Sequence, residues 1–287
     1  MTDNSTKRAS HAVIFTDLDG TLLSDRTYDF TPALPALDQI RSLMIPLILV
    51  SSKTKAEIEF YCKGLSVEEP FIAENGGAIY FPSAFPLPDI YSYERADNYR
   101  ALFIGRPLCE LSERINTLRD QFHFRCFSEM TMEEIAAVTG LTLQQAGLAS
   151  QREFDEPIVL ESASDDGSLI CEKALEIGLD CVKGGRFLHV FLGGDKGKAV
   201  EVLLELYRQK GHEVLSIGLG DSQNDVSMLR AVDKAVVMQS PDGTYIEGLD
   251  HPDLVKAEGR GPSAWNKVVL SILEDLFLWS DMGLDKK

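Results

Sequence analysis

The stretch from Ala12 to Leu23, AVIFTDLDGTLL, decides how the rest of the chain is read. Five mostly apolar residues lead straight into Asp17 and Asp19, and then into a Gly-Thr pair. An apolar run bounded by a glycine break reads as a buried strand, so two carboxylates leave the core together at a strand's end. Like charges this close repel unless a cation is shared between them, and oxygen-only ligands point to Mg²⁺. A capped turn, with Asp19 making an Asx-type bond, is the competing reading of this segment alone.

Working outward, short apolar runs at 12–16, 46–50, 71–73, 214–219 and 234–238 read as strands. Helical spacing separates them near 32–44, 53–64, 196–210 and 222–231, and such alternation predicts a parallel sheet covered by helices. ENGGAIYFP at 74–82 reads as a turn into a short strand, followed by a break at Pro82, Pro86 and Pro88. From there to about residue 188 the pattern changes. Helices are predicted near 108–121, 131–137, 142–148 and 168–177, and strands near 123–127, 157–161 and 179–182. This order suggests an α+β module inserted into an α/β domain. The C-terminal WNKVVLSILEDLFLW has helical apolar spacing and is expected to dock on the core rather than on a membrane or a partner.

The composition bounds the function. The 287 residues, 44% of them hydrophobic, suffice for a sizeable core and a prior of roughly two domains. Lys and Arg total 28 against 45 Asp and Glu, a net charge of −17 that repels nucleic acid and anionic membrane surfaces alike. A small anionic substrate stays open, because a local cluster of cations can reverse the potential inside one cleft. Cys62, Cys109, Cys126, Cys171 and Cys181 never form a CxxC pair and are expected to be reduced thiols. The polar opening MTDNSTKRAS lacks a signal-peptide pattern, and no run approaches the ~18 apolar residues of a membrane span, so a cytoplasmic protein is expected. No feature of the sequence specifies an oligomeric state.

Four segments fall at strand ends, where open α/β sheets bind ligands. In the first, Asp17 can attack phosphorus while Asp19, turned back by Gly20, protonates the leaving oxygen and later deprotonates water. The second, LILVSSKT at 47–54, offers Ser51 and backbone N–H groups to a phosphoryl group, although taken alone it reads rather as Ser51 or Ser52 capping the next helix. The third, GGDKGKAVEVLLELY at 193–207, sets Lys196 at a helix start, where a cation is disfavoured unless an anion is near. A solvated surface lysine is the alternative there, and the spacing is not that of a Walker A loop. The fourth, VLSIGLGDSQNDVSML at 214–229, delivers Asp221, Asn224 and Asp225. Asp221 completes a hard-cation site with Asp17 or else caps a helix, and Asn224 and Asp225 can bind phosphate, lysine or loop backbone. Together they supply nucleophile, acid/base, cation ligands, hydroxyl and lysine.

These segments, in this order, resemble the haloacid-dehalogenase superfamily of phosphohydrolases, whose signature is DxDGT, a strand-end Ser/Thr, a Lys and GDxxND. The resemblance implies a Rossmann-like core at 1–84 and 189–287 with an inserted α+β type IIB cap at 85–188. It also implies Asp17 as the phosphorylated nucleophile, Asp19 as acid/base, and Mg²⁺ held by the Asp17 carboxylate, the Asp19 backbone oxygen and Asp221. Ser51 and Lys196 would contact the phosphoryl group. SSKT, ENGGAIY, MTMEEIAAVTGLTLQQAGLASQREFDEPIV, GGRFLHV and GLGDSQND resemble, more finely, the mannosyl-3-phosphoglycerate phosphatase family. That family's reaction is hydrolysis of 2-O-mannosyl-3-phosphoglycerate to mannosylglycerate and phosphate. The glucosyl ester or another sugar phosphate is the sister reading, and a non-catalytic sugar-phosphate sensor is the reading from another class, for which Asp17 and Asp19 would both be superfluous. Candidate substrate contacts are Arg152, Glu153 and Arg186, with Glu74, Asn75, Gly76, Asn224 and Asp225. His189 alternates with Phe187 and Phe191, which favours a packed strand histidine over a substrate contact.

Overall fold

The computed structural model describes residues 12–161, 167–209 and 214–281, and the polar segment 1–10 lies outside them. The chain runs β1 (Ala12–Thr16), α1 (Leu34–Ser42), β2 (Leu47–Leu49), α2 (Lys55–Leu65), β3 (Phe71–Ala73), β4 (Ala78–Pro82), β5 (Glu94–Ala96) and β6 (Tyr99–Phe103). It continues with α3 (Ser112–Arg119), β7 (Phe124–Cys126), α4 (Met132–Thr139), α5 (Leu143–Ala149), β8 (Asp155–Leu160), α6 (Ser168–Glu176), β9 (Asp180–Gly184) and β10 (Phe187–Phe191). Then follow α7 (Lys196–Arg208), β11 (Leu215–Gly220), α8 (Val226–Ala231), β12 (Lys234–Val237), β13 (Leu254–Lys256) and α9 (Gly261–Asp281). Two compact units result: Met1–Ile48 with Glu201–Asp221 and Leu229–Lys287, and Leu49–Val200 with Ser222–Met228.

The first unit is built on a five-stranded sheet ordered β13-β12-β11-β1-β2, β2 ending at the boundary of the unit. β1 lies parallel to β11 with Ala12 opposite Leu215 and Thr16 opposite Leu219, and β12 and β13 continue the parallel register. All five β1 residues are buried, as expected of a strand covered on both faces. Because β1 sits between β2 and β11, the chain order reverses there, and a crevice is expected beyond the carboxyl ends of these strands. β13 is not announced by the sequence, since LVK has only two apolar residues, ends in a lysine and is nowhere fully buried.

α9 explains the apolar C-terminal stretch. Trp265, Val269 and Leu273 recur every four residues and are buried, and α9 packs on α1. The Trp265 indole N–H donates to Thr16 Oγ1 at 3.0 Å, and Asn266 Oδ1 accepts the Ala36 N–H at 2.9 Å. Docking, rather than membrane insertion, is the use of this helix, and no helix among the described residues is long and apolar enough to cross a membrane. Trp265→Ala removes both a fully buried indole and the partner of Thr16. It is expected to cost about 3–5 kcal/mol in urea-induced unfolding.

The second unit holds two antiparallel four-stranded sheets, ordered β3-β4-β6-β5 and β7-β8-β10-β9. Here two expectations are corrected. The apolar run at 71–73 predicts one more strand of the parallel sheet. It instead pairs antiparallel with β4 and keeps only a single parallel bridge, Val50 to Ile72. Residues 94–103 were given no strand, yet they form a hairpin, β5–β6, turning at Asp97 with φ 54°. Four charged residues and little alternation in ERADNYRALF hide it, although Asp-Asn at the turn is a hairpin signal. In the other sheet, α3 and α6 bury Ile115, Leu118, Ile170 and Ala174 against Phe124, Ile158 and Val190. α4 and α5 are each set by a capping box, Thr131 with Glu134 and Thr142 with Gln145, and Gly140 ends α4 in the left-handed conformation.

The cysteine expectation fails for one pair. Cys171 on α6 and Cys181 on β9 form a disulfide, their Cα atoms 5.0 Å apart. A tight turn at Gly178 (φ 73°) folds α6 back onto β9 and juxtaposes them, a proximity that spacing along the sequence does not encode. Cys62, Cys109 and Cys126 are free thiols.

Candidate active site

In the first unit, Asp17 directly follows β1 and extends its ladder, its N–H donating to Leu219 O at 2.9 Å. The chain then turns sharply. Leu23 and Thr21 both donate their N–H to Leu18 O, and Gly20 donates to Leu23 O. Gly20 adopts φ 81°, and a Cβ there would lie 2.5 Å from an Asp221 carboxylate oxygen, so both backbone and space demand glycine. Asp221 directly follows β11, and its other oxygen accepts the Thr21 hydroxyl at 3.0 Å. Asp17 and Asp221 are buried and offer carboxylate oxygens within 4.8 Å of one another. Two buried carboxylates this near are costly alone, and an all-oxygen donor set suits a hard divalent cation, so the residues fit Mg²⁺. Thr21 was assigned no role from sequence, although it is the final letter of DxDGT.

In the second unit the competing readings of three motifs fall away. The N-cap of α2 is Thr54, not Ser51 or Ser52: its hydroxyl accepts the Glu57 N–H, and the Glu57 carboxylate accepts the Thr54 N–H. Ser51 is buried, with its backbone tied to Ile72 O and the Asn75 N–H and its Oγ accepting the Lys53 N–H at 3.2 Å. Lys196 is no solvated lysine. Its side chain is 0% exposed at the first position of α7 and donates to Asp225 Oδ1 at 2.7 Å. Asp225 Oδ2 in turn accepts the Ser222 N–H, and Ser222, not Asp221, precedes the following turn as its cap.

Glu74, Asn75 and Gly76 form the turn between β3 and β4, all with positive φ (49°, 54° and 88°). Non-glycine residues held this way are strained and need support. The buried Glu74 carboxylate supplies it, accepting the N–H groups of Glu153, Phe154 and Asp155 at 2.9–3.0 Å. Burial pushes its pKa up to about 7, the neighbouring Arg152 guanidinium working in the opposite direction. A Cβ at Gly76 would lie 2.2 Å from the Asp195 backbone carbonyl, directly before Lys196. Gly76→Ala is therefore expected to destabilise the fold by about 2 kcal/mol or more in thermal unfolding, because the obstacle is backbone that cannot rotate away.

The remaining candidates separate. Arg152 is buried and spends its donors on Asp155 O (2.7 Å) and Ser52 O (2.6 Å), with Asp155 Oδ1 at 3.4 Å. Glu153 is exposed and accepts the Tyr80 hydroxyl at 3.1 Å. Arg186 is exposed at the β9–β10 hairpin, donating to Thr139 O and lying over the Phe187 ring. Asn75 and Asn224 meet in the interior, Asn224 Nδ2 donating to Asn75 Oδ1 at 2.9 Å.

Two interior groups had no assigned role. His189 is a packed strand histidine, as its alternation suggested, but its Nδ1 lies 2.9 Å from the Asp155 carboxylate. Phe191 opposes Asp155 across β8 and β10, so His189, two residues along, reaches it on the diagonal. Burial pushes the Asp155 carboxyl up, but His189 and Arg152 outweigh it and hold the carboxyl below the usual range. Two acidic residues, Asp155 and Glu156, opening an otherwise apolar strand, DEPIVL, are the available signal.

The haloacid dehalogenase-like hydrolase family model matches residues 14–91 and 187–250. A glucosyl-3-phosphoglycerate/mannosyl-3-phosphoglycerate phosphatase of Persephonella marina is 40% identical over 268 residues, 92% of this chain and 98% of that protein. One of the same name from Methanococcoides burtonii is 39% identical over 263 residues, covering 91% and 97%. The fold is shared with a Thermoplasma acidophilum protein (TM-score 0.64, 16% identity, 94% of this chain and 99% of that one). It is shared too with a subclass IIB sugar phosphatase of the haloacid dehalogenase superfamily (TM-score 0.58, 16% identity, 92% and 98%). A parallel sheet with DxDGT and GDxxND at adjacent strand ends, and relatives aligned over nearly the whole chain, lead to one conclusion: the chain belongs to the glucosyl-3-phosphoglycerate/mannosyl-3-phosphoglycerate phosphatase family of haloacid dehalogenase-like hydrolases and is a phosphoric monoester hydrolase.

Proposed function

We propose that the chain is a Mg²⁺-dependent phosphatase that hydrolyses 2-O-mannosyl-3-phosphoglycerate, with the glucosyl ester as a second substrate, to the glycosylglycerate and phosphate. The observation that carries this reading is the pair of buried carboxylates, Asp17 and Asp221, at adjacent strand ends in a chain 40% identical to phosphatases named for both esters. Asp17 attacks phosphorus, forming an aspartyl phosphate as the bond to the glycerate 3-oxygen breaks. Asp19 donates its proton to that leaving oxygen, then takes one from the water that cleaves the acyl phosphate. Asp17, the Asp19 backbone oxygen and Asp221 would hold Mg²⁺, which neutralises charge on the transferring phosphoryl group. Ser51 and Lys196 are proposed to bind phosphoryl oxygens, and Asp225, accepting the lysine's hydrogen bond, to aim it.

The module at 85–188 is proposed as a type IIB cap that selects the substrate, on a core of 1–84 and 189–287. Asn75, Gly76 and Asn224 are proposed to face the substrate, and the exposed Glu153 and Arg186 to contribute donors and acceptors from the cap. Arg152 and Glu74 support the reading indirectly, by fixing the Glu74–Gly76 turn. Phosphate release from glycosyl-3-phosphoglycerates and from simple sugar phosphates tests it. The phosphoglycerate esters are expected to be preferred by about 100-fold or more in kcat/KM, since contacts made to the glycerate carboxylate would be lost with ligands lacking one. Preference for simple sugar phosphates, or turnover undiminished in excess chelator, would overturn it.

A further inference from the structure

Asp155 lies at one end of a continuous row of polar groups, buried as far as Asn224 and half-buried at Ser222. Asn75 Nδ2 donates to its carboxylate at 2.5 Å, Asn224 Nδ2 donates to Asn75 Oδ1 at 2.9 Å, and the Ser222 hydroxyl donates to Asn224 Oδ1 at 2.6 Å. The Ser222 N–H then donates to Asp225 Oδ2 and the Asp225 N–H to Ser222 O, while Asp225 Oδ1 accepts from Lys196. The direction of this row follows from chemistry. A carboxylate only accepts, so Asn75 must turn its amide nitrogen toward Asp155 and its oxygen toward Asn224. Asn224 is then forced the same way, with its oxygen toward Ser222. Reversing Asn75 would set its oxygen against the Asp155 carboxylate and N–H against N–H at Asn224, and reversing Asn224 would set oxygen against oxygen at Asn75, in an interior where an unmade bond carries its full desolvation cost.

Asp155 is itself held fast. His189 Nδ1 lies 2.9 Å from one carboxylate oxygen and 3.0 Å from the other, Arg152 Nη2 lies 3.4 Å away, and the Asp155 N–H is bound by Glu74. β9 closes over the row. A Cβ at Gly184 would come within 3.0 Å of the His189 ring and 3.1 Å of Asn224 Nδ2.

We propose that Asp155 is a positioning residue: through Asn75 and Asn224 it sets the hydrogen-bond polarity of the GDSQND loop, and thereby the placement of the Asp225–Lys196 pair. This rests on the reading of that loop as part of a phosphatase site. Asn and Asp exchanges test it without altering side-chain size. Asn75→Asp places two buried carboxylates in contact and is expected to lower kcat/KM for phosphate release on the order of 100-fold, chiefly through kcat. Adding Asp155→Asn moves the charge one residue along yet keeps every donor facing an acceptor. Residue 155 then donates to residue 75 and accepts from His189, and residue 75 still accepts from Asn224. This double variant is expected to regain at least about tenfold of the loss, the coupling characteristic of groups in one network.

Loss of packing alone would show no such recovery. A double variant that stays at the activity of Asn75→Asp, or an Asn75→Asp variant as active as the wild type, overturns the proposal. Should Asn75→Asp fail to fold, restoration of a cooperative unfolding transition and activity in the double variant is the same readout. If the wild type releases no phosphate from any glycosyl phosphate, the phosphatase reading falls instead. The relay is then judged by the unfolding midpoint, which must fall in Asn75→Asp and recover in the double variant.

Discussion

Replacing Asp17 with Asn is expected to lower phosphate release by at least about 10⁴-fold, because the amide cannot form an acyl phosphate and every later step depends on that bond. The fold should survive. Asp17's ladder bond to Leu219 is made by its backbone, and Asn has nearly the same shape. Stability supplies a second, opposite readout: in metal-free buffer the variant relieves the repulsion between the Asp17 and Asp221 carboxylates, so its Tm is expected at or above that of the wild type. Added Mg²⁺ should raise the wild-type Tm more than that of the variant, since binding to the native state alone stabilises by mass action. Substantial turnover by Asp17→Asn would remove the nucleophile assignment.

The second large effect concerns Lys196. Its ammonium and the Asp225 carboxylate are 2.7 Å apart with both side chains 0% exposed. Lys196→Ala strands a buried charge and is expected to cost about 3–5 kcal/mol of stability in denaturant titration. Lys196→Met with Asp225→Asn removes both charges at similar volume and should recover most of that stability, since an apolar or neutral replacement of a whole buried pair is commonly near neutral. Phosphate release should stay depressed by about 10²–10³-fold in the double variant, because the cation proposed to bind the phosphoryl group is gone. Recovery of both quantities together would make the pair purely structural.

The opening strand was legible because burial on both faces leaves a nearly unbroken apolar run, and the acids after it stand out. The helices between strands were legible from helical apolar spacing, down to the two short capped helices α4 and α5. What escaped was set by partners distant in the chain. β3 looks like one more parallel strand until β4 turns back on it. The ladder of β6 is made with β4, about twenty residues earlier, and little in YRALF announces it. Cys171 and Cys181 pair because a glycine turn folds a helix onto a strand, and Asp155 finds His189 only where β8 and β10 pair on the diagonal.

The chain alone determined the α/β class, the strand-end placement of Asp17, Asp19, Ser51, Lys196 and Asp221, and the family to which they belong, because hydrophobic periodicity and motif spacing are local properties. Only the tertiary structure decided which polar groups are sealed from water and which way their hydrogen bonds run. It gave the α2 cap to Thr54 and left Ser51 uncommitted to that task, buried Lys196 against Asp225, and joined Asp155 to Asn75 and Asn224. Desolvation and directed hydrogen bonding depend on what surrounds a group in space, and that is written at no single position of the sequence.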